Sequence, residues 1–184
     1  MKNAVIFIMI LTSLLGQAQS KEDNKFQVGV SYSFANNDGL FNNPFIGNIS
    51  YKVVKWNNVD LNVGLNTFYY VTKESQFFTN KWGFNPTLNT TYNFKNTKFS
   101  SYLSAGYYMD SFHSKSKTIG VIQIPKRDVN TRGITLSPGL KYFVHPSVFI
   151  DANLMLLFAK KHDDGYRTTS GNNTFFNFGF GVAF

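Results

Sequence analysis

Residues Thr174 to Phe184 read TFFNFGFGVAF. Every second position is bulky and apolar, at Phe176, Phe178, Phe180, Val182 and Phe184, while Asn177, Gly179, Gly181 and Ala183 stand between them. A period of two puts one set on each face of a β-strand and fits no helix face. One face of this strand is therefore large and apolar, and the other is small and partly polar. A chain with one such strand could bury it in any β-core. A chain built from little else must find a place for a great deal of apolar surface.

The pattern recurs along the chain. Phe26 to Phe34 alternates Phe26, Val28, Val30, Tyr32 and Phe34 with Gln27, Gly29, Ser31 and Ser33. Phe45 to Val54 and Asn58 to Val71 repeat it, as do Trp82 to Phe94, Phe99 to Met109, Thr131 to Phe143 and Val148 to Phe158. With Thr174 to Phe184 this makes eight predicted strands. Pro86 falls inside the fourth, where proline cannot donate to a ladder, so a bulge or local break is expected there. The connections alternate in length. Residues 35–43, Thr72 to Lys81, Asp110 to Asn130 and Ala159 to Asn173 are long and polar; residues 55–57, Lys95 to Lys98 and Val144 to Ser147 are short. An apolar patch, Ile119 to Ile124, lies in the longest and suggests a hairpin of its own.

Strands of about 9 to 14 residues with alternating short and long connections are what a membrane-spanning antiparallel barrel requires. The mean hydropathy of −0.18 does not oppose this, because the alternation averages apolar against polar. The small residues of the second face suit the lumen of an eight-stranded barrel, which is just wide enough to be filled by side chains. A ligand-holding soluble barrel would turn its bulky face inward, and dense Phe and Tyr on one face fit that poorly.

The start of the chain has the marks of a secretory signal. Lys2 precedes an apolar run from Ala4 to Leu15, too short to span a bilayer, and Gly16-Gln17-Ala18 supplies small residues for cleavage before Gln19. The expected division is a signal peptide over residues 1–18 and a barrel domain over residues 19–184.

The aromatic chain end, with apolar residues at alternate positions before it, resembles the last strand of Gram-negative outer-membrane β-barrels. The mature chain as a whole resembles the small eight-stranded barrels of the OmpA, OmpX and OmpW type, the outer membrane protein β-barrel domain family. The resemblance implies an all-β fold, an eight-stranded antiparallel transmembrane barrel in the cell outer membrane, with long loops extracellular and both mature termini periplasmic. It implies that Phe176, Phe178, Phe180, Val182 and Phe184 form a signal read by the barrel-assembly machinery. The expected role is structural or one of surface interaction, adhesive or lipopolysaccharide-contacting, without catalysis. The alternatives are a narrow channel or binder of small hydrophobic molecules, and a hydrolase with a loop site.

Few residues offer chemistry. There is no Cys, hence no disulfide, thiolate nucleophile or thiolate metal site. No phosphate-binding or metal-ligand spacing is present, so no cofactor is expected. The net charge is +8, but no basic helix or Lys/Arg run points to nucleic acid. Four charges fall on the lumen face, Lys52, Asp60, Lys141 and Asp151, each beside a short turn. Buried charges need partners. The hairpin pairings predict two structural ion pairs, Lys52 with Asp60 and Lys141 with Asp151. His145-Pro146-Ser147 resembles the His-x-Ser of outer-membrane lipid A deacylases but stands in a short turn, where it reads as turn chemistry. His162-Asp163-Asp164 resembles the Asp and His pairs of omptin proteases and is the site of the hydrolase alternative. His113 has Asp110 as its candidate carboxylate and is expected to be solvated. The predicted outer segments hold ten basic and six acidic residues. Arg132 falls on the lipid-facing parity; with Lys126 and Arg127 it is the expected contact for lipopolysaccharide phosphates. Outer-membrane lipids are the other expected partner, and a monomer is the expected state.

Overall fold

The computed structural model describes residues 24–35, 41–73, 78–114, 117–119, 122–124, 127–163 and 169–184. The expected signal peptide and its cleavage site lie outside the described residues. Among the described residues ten strands form: β1 (Phe26–Ala35), β2 (Phe45–Trp56), β3 (Val59–Tyr70), β4 (Lys81–Asn93), β5 (Phe99–Ser114), β6 (Lys117–Ile119), β7 (Ile122–Ile124), β8 (Arg127–His145), β9 (Val148–Asp163) and β10 (Thr169–Ala183). Eight of them close into an antiparallel barrel in the order β1-β10-β9-β8-β5-β4-β3-β2. The short β6 and β7 pair with each other as a hairpin over the expected apolar patch.

Closure runs from Gln27 opposite Ala183 to Ala35 opposite Phe175. Phe184 extends the seam: its carbonyl accepts from the amides of Lys25 and Phe26, and its own amide donates to the Phe26 carbonyl. A closed ladder leaves no unpaired strand edge, which is the condition for β-structure in a bilayer.

The alternation sorts the side chains as the sequence predicts. Val28, Val30, Ile49, Val63, Leu88, Leu103, Leu140, Ile150 and Leu154 face outward and are exposed. Aromatic side chains bracket this aliphatic band. Near the short turns, Phe26 meets Tyr51 at 4.8 Å, Tyr92 meets Phe94 at 5.1 Å, and Phe99 meets Tyr142 at 4.9 Å between ring centroids. Toward the long connections, Tyr32 meets Phe45 at 5.2 Å and Tyr69 meets Trp82 at 4.6 Å. An aliphatic band between two aromatic girdles is the outer surface of a transmembrane barrel.

The turns are tight. Asn57 and Asn96 take left-handed φ values of 52° and 55°, which asparagine tolerates at low cost. Pro86 interrupts the ladder to β5 between the Phe84–Met109 and Thr87–Gly106 pairs without shifting the register, while its pairing with Leu65 of β3 is kept. In an antiparallel strand a residue's N–H and C=O point to the same neighbour, so proline opens only that side. Pro138 does the same toward β9. The true register shifts lie elsewhere, at Lys52–Val54 in β2 and Phe143–His145 in β8.

The upper parts of β5, β8, β9 and β10 run well past the predicted boundaries. Residues 110–114, 127–130, 159–163 and 169–173, expected as loop, are strand. These residues rise beyond the apolar band, where no lipid demands alternation, so their sequence carries no period-two signal. The 19 residues of β8 span roughly 60 Å at about 3.3 Å each. One wall of the barrel is thus taller than the other at the end that carries the long connections.

Arginine at Leu103, in the middle of the aliphatic band, should destabilise the barrel by about 2–4 kcal/mol in phospholipid vesicles. The same change at Asn172, outward at the upper edge of the band beside Phe158, should cost about 0–1 kcal/mol. Urea unfolding midpoints check both; equal midpoints for the two variants would contradict this placement of the bilayer.

Candidate functional site

The lumen is filled in three storeys. At the short-turn end, Phe143, Phe149 and Ala183 form a small apolar cluster, and Asn24 is buried beneath the barrel with its amide donating to the Pro146 carbonyl at 3.1 Å. Ser147 N donates to His145 Nδ1 at 3.3 Å, so the His-Pro-Ser triplet serves its turn. Lys52 Nζ stands 3.4 Å from Asp60 Oδ2, both side chains nearly inaccessible. The bulge in β2 puts Lys55 in register with Asp60 and Lys52 with Asn62, yet Lys52 still reaches the carboxylate. Asn93 donates to the same oxygen at 2.8 Å and accepts from Ser100 at 2.7 Å.

The second expected pair takes a different form. Lys141 and Asp151 are register partners on β8 and β9, but they make no direct ion pair. The Lys141 ammonium donates to Gln27 Oε1 and lies over the rings of Tyr102 and Phe149, 5.1 and 4.8 Å from their centroids. The Asp151 carboxylate accepts from Tyr102 Oη at 2.9 and 3.1 Å. The reason is Gly139. Tyr102 starts on β5 and crosses β8 to reach β9, and a Cβ at position 139 would collide with its ring. A glycine on the intervening strand therefore lets a phenol take the carboxylate that the lysine was expected to take.

The middle storey is polar. Asn62 donates to Thr91 at 3.2 Å, Asn177 to Asn153 at 2.7 Å, and Thr135 to Asn85 at 3.1 Å. The cavity lined by Asn62, Thr91, Asn153, Asn177 and their neighbours is about 60 Å³. That is room for a few waters and none for a solute.

The upper storey is an aromatic plug. Phe68, Tyr70, Tyr108, Met155, Leu157 and Phe175 are buried together, and Phe41 packs against them from the first long connection. Within the plug lies a second lumen ion pair, Lys81 Nζ to Asp110 Oδ2 at 2.9 Å. Tyr108 Oη donates to Asp110 at 2.6 Å and lies 2.9 Å from Tyr70 Oη. The Lys81 ammonium also sits 4.1 Å from the Tyr70 ring centroid. Lys81 and Asp110 were both expected in outer loops. Each is one position from an outward aromatic or Met, Trp82 and Met109, so parity already pointed both inward; the missed strand ends hid it. Asp110, whose side chain is only 1% exposed, is accordingly unavailable to His113, whose Nδ1 instead lies 2.6 Å from Asp128 Oδ1 across the β5–β8 ladder.

At the long-connection rim, Lys73, Arg132, Lys160, Lys161 and His162 are exposed. Lys126 and the side chain of Arg127 lie outside the described residues, as do Asp164 and the side chain of Asp163; His162 faces outward opposite Asn130. Of the strand expected as an assembly signal, Phe176, Phe178 and Phe180 are exposed on the outer face. Val182 shares their parity but is buried, between Val28 and Val148 on the flanking strands. The Phe184 ring stacks on Phe26 with centroids 5.9 Å apart, in the girdle near the short turns.

No protein-family model and no curated protein matches the sequence. Solved structures do match in fold. The attachment invasion locus protein Ail of Yersinia pestis, solved alone and with the heparin analogue sucrose octasulfate, superposes with a TM-score of 0.59 at 16% identity, over 88% of this chain and 97% of that one. Neisserial surface protein A gives 0.55 at 16% identity, over 86% and 96%. The outer membrane protein OprG of Pseudomonas aeruginosa gives 0.50 at 9% identity, over 90% and 99%. The fold is that of the small eight-stranded outer-membrane barrels.

Replacing Asp110 by Leu should cost about 3 kcal/mol, near the lower end for a broken buried pair because Lys81 keeps some access to water. Adding Lys81→Met should restore most of the loss. Urea midpoints of the detergent-folded barrels measure both steps; a single variant with the wild-type midpoint would show that the pair contributes nothing.

Proposed function

We propose that a chain with this fold acts as an integral outer-membrane protein by surface contact, and neither passes solutes nor catalyses a reaction. In this reading residues 1–18 are removed on export, the long connections stand at the cell surface, and both mature ends lie in the periplasm. The observation that carries it is a cationic rim above a plugged lumen. Lys73, Arg132, Lys160 and Lys161 are exposed there, while the described carboxylates at that end, Asp110 and Asp128, are already engaged by Lys81 and His113. Anionic partners fit such a rim: the phosphates of the cell's own outer leaflet, and sulfated or acidic polysaccharides on another surface. The sucrose octasulfate held by the similarly folded Ail supports the second class of partner. The plug of Phe68, Tyr70 and Tyr108 argues against a channel or an interior ligand site. His162 stands exposed on the outer face opposite Asn130, outside any enclosed cleft, so the surface reading is preferred to the hydrolase.

The test is binding of sucrose octasulfate to the barrel in detergent, followed by calorimetry across a salt series. Binding should weaken as salt rises. The double change Lys73→Gln with Lys161→Gln should weaken it roughly three- to tenfold. Salt-independent binding, or an unchanged affinity in that variant, would remove the cationic rim as the contact surface. Planar bilayers should show no steady conductance; a stable open level would favour the channel instead.

A further inference from the structure

We propose that the outward face of the tall wall, where β8 and β9 leave the aliphatic band, seats the phosphate of an outer-leaflet lipid. The proposal rests on the outer-membrane orientation given above and assigns its own residues. Three cross-strand rows define the place. The lowest is Tyr107, Ile134 and Phe158, the next Met109, Arg132 and Lys160, and the highest Ser111, Asn130 and His162. Tyr107, Arg132, Ile134, Phe158, Lys160 and His162 line an outward groove of about 500 Å³.

Arg132 and Lys160 are direct register partners, and both side chains are exposed. Like charges facing each other across a ladder destabilise a sheet. No described carboxylate pairs with either. Asp128, the described carboxylate two turns of the pleat above on β8, is held by His113. An anion between the two cations converts a repulsion into two charge-assisted contacts, and Arg presents the planar fork that suits phosphate oxygens.

The floor of the groove shows what carries that anion. Ile134, Phe158 and Tyr107 are 63, 50 and 46% exposed directly below the cations. A free phosphate has no use for them; acyl chains do. The height agrees. On β10, beside Phe158, the outward residue is Asn172, and Ser170 stands beside Lys160; the last outward aromatic there is Phe176, lower down. The apolar band therefore ends at the Ile134–Phe158 row, and the cation row lies at headgroup level. Two cations with no described carboxylate paired to them select a headgroup without a cation of its own, such as a phosphorylated glycolipid, over a zwitterionic one. Of the basic residues expected from the sequence to contact lipopolysaccharide, Arg132 is retained, and Lys160 joins it from a segment expected to be loop.

The experiment is native mass spectrometry of the full mature barrel in detergent, titrated with diphosphorylated lipid A, the same lipid without phosphates, phosphatidylcholine, and inorganic phosphate. Wild-type protein should retain the phosphorylated lipid in preference to the other two lipids. Arg132→Gln with Lys160→Gln should weaken that retention about tenfold or more, at roughly one charge–headgroup contact each. Lys73→Gln with Lys161→Gln, which leaves both cations of the seat in place, should retain phosphorylated lipid A as the wild type does, so loss of the lipid seat and loss of the rim's polysaccharide reading give different results. Ile134→Asn should weaken lipid A retention while leaving the two cations in place. Heat-modifiable gel mobility confirms folding of each variant, and Arg132→Gln alone serves if the double variant does not fold. Equal retention of phosphorylated and phosphate-free lipid, wild-type retention in the double variant, or displacement of the lipid by millimolar inorganic phosphate would each overturn the proposal.

Discussion

Everything in this molecule depends on the antiparallel seam between β1 and β10. A strand edge in lipid has nothing to bond, so a sheet can cross a bilayer only if its first and last strands find each other. Here the seam runs from Gln27–Ala183 to Ala35–Phe175 and is continued by Phe184 with residues 25 and 26. Closing it with eight strands fixes the circumference, and the circumference fixes how little room remains inside.

That narrowness explains the interior. Side chains from opposite walls must share one small space, so small residues are placed where large ones cross. Gly139 admits the Tyr102 ring on its way to Asp151, and Gly83 lies against the Tyr108 ring where it approaches Tyr70. The charges that remain inside are dispersed over pairs, phenols and amides, because an isolated ion in such a space would have nothing to replace its lost hydration. The outcome is a barrel whose interior is structure from end to end, with a polar cavity of about 60 Å³ between an apolar base and an aromatic plug.

The exterior obeys a different solvent at each height. Aliphatic side chains fill the middle, aromatic rings mark both boundaries, and polar or cationic groups begin at once above the upper one. The tall wall of β5, β8, β9 and β10 carries this transition on a continuous ladder. Arg132 and Lys160 are held at fixed spacing by strand register, unlike charges on a loop, and that is why an opposed pair of cations there carries meaning.

The sequence by itself determined the number of barrel strands, their antiparallel order and which face of each looks outward, because lipid on one side and a packed lumen on the other impose a period of two on every crossing. It also placed Lys52 near Asp60 and Arg132 on the outer face, since parity and a short turn suffice for both. Tertiary structure decided what parity cannot express. The heights of β5, β8, β9 and β10 were invisible where the chain leaves the membrane and the alternation fades, so Lys81, Asp110 and Lys160 read as loop residues. The redirection of Lys141 to Gln27 and of Asp151 to Tyr102 required knowing which side chain crosses which strand. The crossing of Tyr102 to Asp151 depends on three adjacent strands, two of them separated in sequence by the long connection between β5 and β8, and the contact of Lys141 with Gln27 depends on β1 being brought across the lumen by closure of the barrel.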